Sequence, residues 1–357
     1  MKKILCFVLV VLSVSCHEHK EESSDRTLSV ALYPYLMNMD EAQKILTKIW
    51  EEKNTDWTLK FDNWDCYHDS PNTDVDVFCI DGLFEQYYKT EGMISPILRT
   101  SISNPDDFYD CFDLSDECGG IPFLLCQDFL IYPKSDSALA DAINARELLD
   151  CAGPGSVWTL TAGNMNGIYL RTYADIYGYD GLFHSTDISN DVLTGLRPYL
   201  ELGGEKAAGK HSAKTAQAFI DGEGRAYICF SEALSMLEDY PEELSLINFS
   251  IASPDRSNYY CADKICINKS VTYKEKREAA ILLASLICSR EFLVRYISSG
   301  ENSLFYIPAR PSATCLLEKV HPLYHTLDSL AKAPGAVIMY GDSNFREYNK
   351  RILSTMS

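Results

Sequence analysis

Short apolar runs with period-two spacing alternate with helical spacing along most of the chain, and this alternation restricts the fold more than any other feature. Leu28, Val30 and Leu32 alternate with small residues and end at Tyr33-Pro34-Tyr35, a strand entering a loop. Asp40 precedes apolar residues at 42, 45, 46, 49 and 50, which predicts a helix with an acidic N-cap. Trp57, Leu59 and Phe61 alternate again, and 75–80 is an apolar run suited to a buried strand. Strand, helix and strand in succession predict an α/β sheet with parallel pairing.

The pattern continues with an apolar run over 123–132, a helix over 137–149, a strand over 157–160 and helices over 188–201 and 213–220. A strand at 225–230 leads to a helix from 232, and strands follow at 246–252 and 259–267. Thr272 and Glu275 have capping-box spacing ahead of a helix over 273–290, and a further helix covers 291–298. The chain has 357 residues, no internal repeat and no low-complexity linker after residue 26. Two lobes that exchange chain across a hinge fit that pattern, with a ligand held in the cleft between them.

The N-terminus predicts export. Lys2 and Lys3 precede the apolar run 4–14, followed by Ser15 and Cys16, as in a secretory signal too short to span a bilayer. Residues 13–16 resemble a bacterial lipobox without its usual leucine, which makes Cys16 a lipidation candidate. An ordinary cleaved signal is the alternative. Residues 1–15 are then the signal and 16–26 a polar tether. His17 and His19 in that tether are read as solvated, not as metal ligands.

The chain carries 32 Lys+Arg against 51 Asp+Glu, a net charge of −19. Removing residues 1–15 takes two lysines and no acid, so the mature value is −21. Such a surface repels phosphate backbones and excludes nucleic acid as a partner, whereas a small cation is welcome. Of 13 cysteines, Cys6 leaves with the signal and Cys16 is lipidated. Eleven remain, so an oxidising compartment leaves at least one thiol unpaired while the other ten can pair.

Familiar motifs are absent or fail. Gly204–Lys210 has phosphate-loop spacing, but His211 stands where magnesium needs Ser or Thr. There is no dinucleotide fingerprint, no G-x-S-x-G elbow, no H-E-x-x-H and no C-x-x-C pair, so structural zinc is not supported. Cys261 and Cys266, on one strand, are too far apart to bond to each other. What remains is a set of carboxylates and tyrosines where strands should meet loops: Tyr33, Tyr35, Asp65, Tyr67, Asp81, Glu232 and Asp263. Strand ends face the ligand crevice of an open α/β sheet, and such a rim suits a flat, cationic, aromatic ligand. Scattered surface acids are the competing explanation.

Two segments add to this. Gly120-Ile121-Pro122-Phe123-Leu124-Leu125-Cys126-Gln127-Asp128-Phe129-Leu130-Ile131-Tyr132 resembles the nucleophile segment of the thiaminase I (thiamine pyridinylase) family. Residues 222–237, GEGRAYICFSEALSML, resemble the family's general-base segment. The resemblance implies a two-lobed fold like that of type 2 periplasmic solute-binding proteins. Its lobes are expected at 27–125 plus 265–357 and at 126–264. It also implies Cys126 as nucleophile and Glu232 as general base. Weaker matches at 31–35, 64–67, 76–81, 260–263 and 306–310 suggest pocket segments carrying Tyr33, Tyr35, Asp65, Tyr67, Asp81 and Asp263. The chain departs from the family at Cys229-Phe230, where Gly-Tyr is expected, and at Ala233, where serine is more usual.

The implied chemistry suits these residues. A thiolate adds to the pyrimidine of thiamine, the thiazole leaves from the bridging methylene, and an organic base or thiol replaces it. A soft nucleophile that is also a fair leaving group is needed, with a carboxylate to take its proton, and the implied chemistry requires no metal and no organic cofactor. The expected protein is an exported or lipid-anchored monomer that acts on thiamine and a nucleophilic co-substrate. The alternative is a solute-binding lipoprotein that captures thiamine or a pyrimidine without chemistry.

Overall fold

The computed structural model describes residues 26–69, 74–112, 114–160, 164–179, 187–208, 212–300 and 303–356. The expected signal over 1–15 and the lipidation candidate Cys16 lie outside the described residues, as do Gly209, Lys210 and His211. Among the described residues no helix is long and apolar enough to cross a membrane.

Two sheets organise the chain. The first contains β1 (Thr27–Ala31), β2 (Thr58–Phe61), β3 (Val77–Asp81), β4 (Gly120–Cys126), and two later strands, Tyr259–Asn268 and Ile307–Pro308. The second contains β5 (Asp128–Pro133), β6 (Val157–Leu160), β7 (Ala226–Phe230) and β8 (Leu244–Ile247), with a short edge strand at Ala207–Ala208. Tyr259–Asn268 is β9 and Ile307–Pro308 is β10, and the first sheet runs β10-β4-β9-β3-β1-β2. Short strands at Ile94–Ser95 and Val337–Ile338 also pair with β9. The order of the second sheet is Ala207–Ala208, β6, β7, β5, β8.

The pairing directions decide where the strand ends gather. β1 pairs in parallel with β2 and with β3. β9 runs antiparallel to both β3 and β4, so β4 points the same way as β3. The carboxyl ends of β1, β2, β3 and β4 therefore lie along one edge, the position from which open α/β sheets address a ligand. In the second sheet β7 is parallel to β6, and its carboxyl end leads directly into Glu232.

Helices Met39–Glu51 (α1), Lys274–Ile287 (α2) and Arg290–Ile297 (α3) help build the core with the first sheet. Leu28, Val30, Ile49, Leu283 and Phe292 are fully buried there, and each such side chain contributes about 1.5–3 kcal/mol. Gly82 closes the fold tightly beside the site. A Cβ at this position would lie 2.6 Å from the Ala262 carbonyl oxygen of β9, so a side chain would push β9 off the end of β3.

Several local expectations are corrected. The apolar run 123–132 is not one strand: β4 ends at Cys126, Gln127 makes the crossing, and β5 begins the other sheet at Asp128. The return crossing falls between Ile247 and Tyr259, so residues 259–264 pair within the first sheet. The N-cap of α1 is Asn38, in a left-handed conformation, and Asp40 lies in the first turn. α2 has Tyr273 at its N-cap with no side-chain capping bond, so the spacing of Thr272 and Glu275 does not produce a capping box. The segment that carries Glu232 is a six-residue 3₁₀ helix, Ser231–Met236, not the start of a longer α-helix. All eleven cysteines among the described residues are free thiols, contrary to the expected pairing of ten. Cys66, Cys79, Cys118, Cys229, Cys266 and Cys288 are buried and behave as small hydrophobes.

Candidate active site

Antiparallel register builds the centre of the site. Asp81, the last residue of β3, lies directly opposite Asp263 of β9, and Cys126, the last residue of β4, lies directly opposite Cys261. Opposed residues of an antiparallel pair leave the sheet on the same face, and residues two apart on one strand share a face. Asp81, Asp263, Cys261 and Cys126 therefore line one surface. The Cys126 thiol donates to Asp263 Oδ2 at 3.8 Å.

Burial is the largest influence on each of these groups. Burial pushes the Asp263 carboxyl well above the carboxylate range, and the facing charges of Asp81 and Glu232 push it further. Burial also raises Asp81, although hydrogen bonds from the Tyr67 hydroxyl and the Leu83 amide work against it. The Cys126 thiol is pushed well up by burial, then by Asp263, Glu232 and Cys261. Glu232 is pushed up to about 7, chiefly by burial, with the charge of Asp128 adding to the shift. A carboxyl poised there is ionised in part at neutral pH and is matched to proton transfer at that pH.

Aromatic residues wall this surface. Tyr67 donates to Asp81 Oδ2 at 2.6 Å, and its hydroxyl meets that of Tyr33 at 3.1 Å. Tyr35 packs edge-on against Tyr33 and Tyr67, with ring centroids 5.4 and 6.1 Å apart. Asp65 sits further out. It accepts from Tyr35 at 2.9 Å and from the Tyr67 amide at 2.9 Å, and it contacts His68 Nδ1 at 2.6 Å. Burial alone would raise Asp65, but the bonds from His68, the Tyr67 amide and Tyr35 outweigh it and hold the carboxyl below its ordinary value. The site thus has an inner pair of carboxyls raised by burial and an outer carboxylate held below its ordinary value by hydrogen bonds.

The eight site candidates named from sequence fall in this region. Tyr33, Tyr35, Asp65, Tyr67, Asp81, Cys126 and Asp263 stand at or just beyond strands of the first sheet, and Glu232 reaches them from the second. Glu232 acts on Cys126 through its charge, whereas the hydrogen bond of the thiol goes to Asp263. Sequence reasoning missed four neighbours. Arg171 and Asp128 form an ion pair at 3.2 Å, with side chains only 4% and 3% exposed, behind the strand that carries Glu232. His68 holds Asp65, and Cys261 faces Cys126. Period-two spacing from Asp263 could have placed Cys261 on the site face. Nothing local marks Arg171 as the partner of a residue 43 positions away. Among the described residues no cluster of His, Cys, Asp and Glu is arranged to hold a metal.

No protein-family model matches the chain. Among characterised proteins, the chain is similar to Thiaminase-1 of Paenibacillus thiaminolyticus, with 26% identity over 93% of its own length and 88% of that protein. The chain is a homologue of thiaminase I. Its fold agrees. Thiaminase I from Bacillus thiaminolyticus superposes with a TM-score of 0.85 at 24% identity, covering 92% of this chain and 98% of the other. Clostridium botulinum thiaminase I in complex with thiamin gives 0.84 at 24% identity and the same coverage. The thiaminase I fold is also that of transport receptors: a solute-binding protein from Thermotoga lettingae, bound to α-D-tagatose, matches 93% of each chain with a TM-score of 0.67 at 16% identity. The mixed α/β, two-lobed binding-protein fold expected from sequence is therefore the fold of this chain.

Proposed function

We propose that this protein is a thiamine pyridinylase that cleaves thiamine by base exchange, with Cys126 as nucleophile and Glu232 as general base. The observation that carries the proposal is a thiol at the end of a cleft strand, set in the field of a carboxyl poised at about 7. A protein that only binds its ligand needs neither group. The similarity to Thiaminase-1 supports the same reading.

Thiamine joins an aminopyrimidine to a cationic thiazolium through a methylene. The Asp81 and Asp263 carboxyls can exchange hydrogen bonds with the ring nitrogens and amino group, and the Tyr33–Tyr35–Tyr67 wall offers ring faces. Asp65 carries the charge that offsets the thiazolium. Glu232 takes the Cys126 proton as sulfur adds to the pyrimidine. The C–N bond from the methylene to the thiazolium then breaks, and the thiazole leaves with the electron pair. Glu232, once it has released that proton to solvent, takes the proton of the incoming amine or thiol, which bonds to the methylene, and returns it to the sulfur of Cys126 as that sulfur is expelled. The leader at 1–15 would export the enzyme, with Cys16 as a possible site for a lipid anchor.

Purified protein incubated with thiamine and aniline or pyridine tests the proposal. Loss of thiamine with release of thiazole is expected, and Cys126→Ser should bring it to background. Saturable thiamine binding without turnover would replace this reading with that of a binding protein, a role this fold also serves. Turnover surviving in Cys126→Ser would overturn the covalent mechanism alone.

A further inference from the structure

Cys261 has no part in the reaction just described, yet it is the residue directly opposite the nucleophile. Directly opposed residues of an antiparallel pair have Cα atoms about 4.5–5.5 Å apart and Cβ atoms about 4.5–5.5 Å apart. A disulfide needs Cα atoms roughly 4.4–6.8 Å apart and Cβ atoms roughly 3.5–4.5 Å apart. The backbone spacing is already suitable, and closure by about an ångström at the terminal residue of β4 suffices for the side chains. A second observation places the thiols together: after burial, Asp263 and Glu232, Cys261 is the next group that pushes Cys126 up. Both are only partly buried, whereas Cys66, Cys79, Cys229, Cys266 and Cys288 are sealed in the interior.

We propose that Cys126 and Cys261 form a reversible cross-strand disulfide, which makes the nucleophile a peroxide-sensitive modification site with Cys261 as its resolving thiol. The consequence for turnover rests on the proposed function, while formation of the bond does not. The sulfur of Cys126, its proton passed to Glu232, attacks one oxygen of hydrogen peroxide. The O–O bond breaks, the departing hydroxide takes up a proton to become water, and Cys126 is left as a sulfenic acid. Sulfur has lost two electrons and the peroxide has gained them. Cys261 then attacks the Cys126 sulfur, the S–O bond breaks, and a second water leaves with the Cys261 proton. Two thiols and one peroxide thus give one disulfide and two waters. A dithiol reductant reverses the change by exchange.

Selectivity here comes from proximity. Burial and neighbouring carboxyls hold both thiols up, so only a small ionised fraction reacts with peroxide at any moment. Once the sulfenic acid exists, the facing thiol intercepts it before further peroxide can carry it to the irreversible sulfinic acid.

The test uses reduced full-length protein and its Cys261→Ser variant, with Cys261→Ala as a second variant should serine disturb the strand. Each is exposed to hydrogen peroxide, alkylated and mapped by mass spectrometry. Turnover is followed before and after dithiothreitol, relative to the same protein untreated. The wild type should yield a 126–261 cross-linked peptide, lose turnover more than tenfold, and recover it with dithiothreitol. The variants should lose turnover without recovery and carry sulfinic acid at Cys126. Sulfinic acid at Cys126 of the wild type with Cys261 still reduced would overturn the proposal, as would a cross-link formed only between other cysteines. The 126–261 cross-link in a protein without thiamine turnover would support the pair and refute the proposed enzyme.

Discussion

Glu232 makes a demand on stability that can be measured apart from catalysis. Its carboxyl moves from an ordinary 4.5 to about 7 on folding, a rise of about 2.5 units. At 1.36 kcal/mol per unit, holding the ionised form in the folded state costs about 3 kcal/mol. The sign follows from proton binding. Between pH 4.5 and 7 the folded chain holds a proton at Glu232 that the unfolded chain has released, so this group's stability contribution is intact below 4.5 and lost as pH rises through 7. Glu232→Gln keeps the shape and removes the titration. Urea unfolding of wild type and variant should therefore nearly coincide at pH 4.5, while at pH 8 the variant should be more stable by about 3 kcal/mol. In the same variant kcat should fall about 10²–10⁴-fold. A difference between the two proteins that is the same at both pH values would refute the reasoning, because it would mean Glu232 is not held in a desolvated place.

Three more perturbations follow from the contacts. Tyr67→Phe removes the 2.6 Å bond to Asp81 and leaves a buried carboxyl short of a donor; this should cost about 1–3 kcal/mol in urea unfolding and weaken thiamine binding measured by calorimetry. Asp81→Asn removes the charge facing Asp263, so the Asp263 carboxyl should titrate at a lower pH, visible in its side-chain carbonyl NMR shift. Arg171→Met strands Asp128 in the interior and should destabilise the fold by about 3–5 kcal/mol, whereas the Asp128→Leu/Arg171→Met double variant should recover most of that loss in the same unfolding assay.

What could be read from sequence divides along a physical line. Residues whose meaning is local were legible: the end of β1 two residues before Tyr33, the end of β3 at Asp81 and the end of β7 just before Glu232 each follow from an apolar run meeting a loop. Register was not legible, because it is fixed by pairing between strands distant in sequence. The facing of Asp81 with Asp263, 182 residues later, and of Cys126 with Cys261 is invisible in either strand alone. The split of the run 123–132 failed for a related reason. Two strands buried in different sheets are both continuously apolar, and the single polar residue between them, Gln127, is itself buried. The cysteine arithmetic failed because it assumed oxidation: buried strand positions accept cysteine as a small apolar side chain, whatever the total count.

The charge of the chain also acquires a different meaning once the site is in view. A net charge of −19 suggests at first that the cleft attracts a cation through its own ionised carboxylates. The geometry argues for a division of labour instead. Asp81 and Asp263 face each other in a desolvated place that raises both, and Glu232 is held at about 7. The acidic exterior supplies the long-range field that guides a cation, and Asp65, kept charged by its hydrogen bonds, supplies the near one. If the proposed substrate binds there, its thiazolium adds a positive charge beside groups raised mainly by burial, which favours their ionised forms. The same event lowers the cost of ionising Cys126, since the carboxyls around its thiol are then offset. On the proposed mechanism, substrate binding and activation of Cys126 would be one electrostatic step, with the thiol neutral until the thiamine cation arrives.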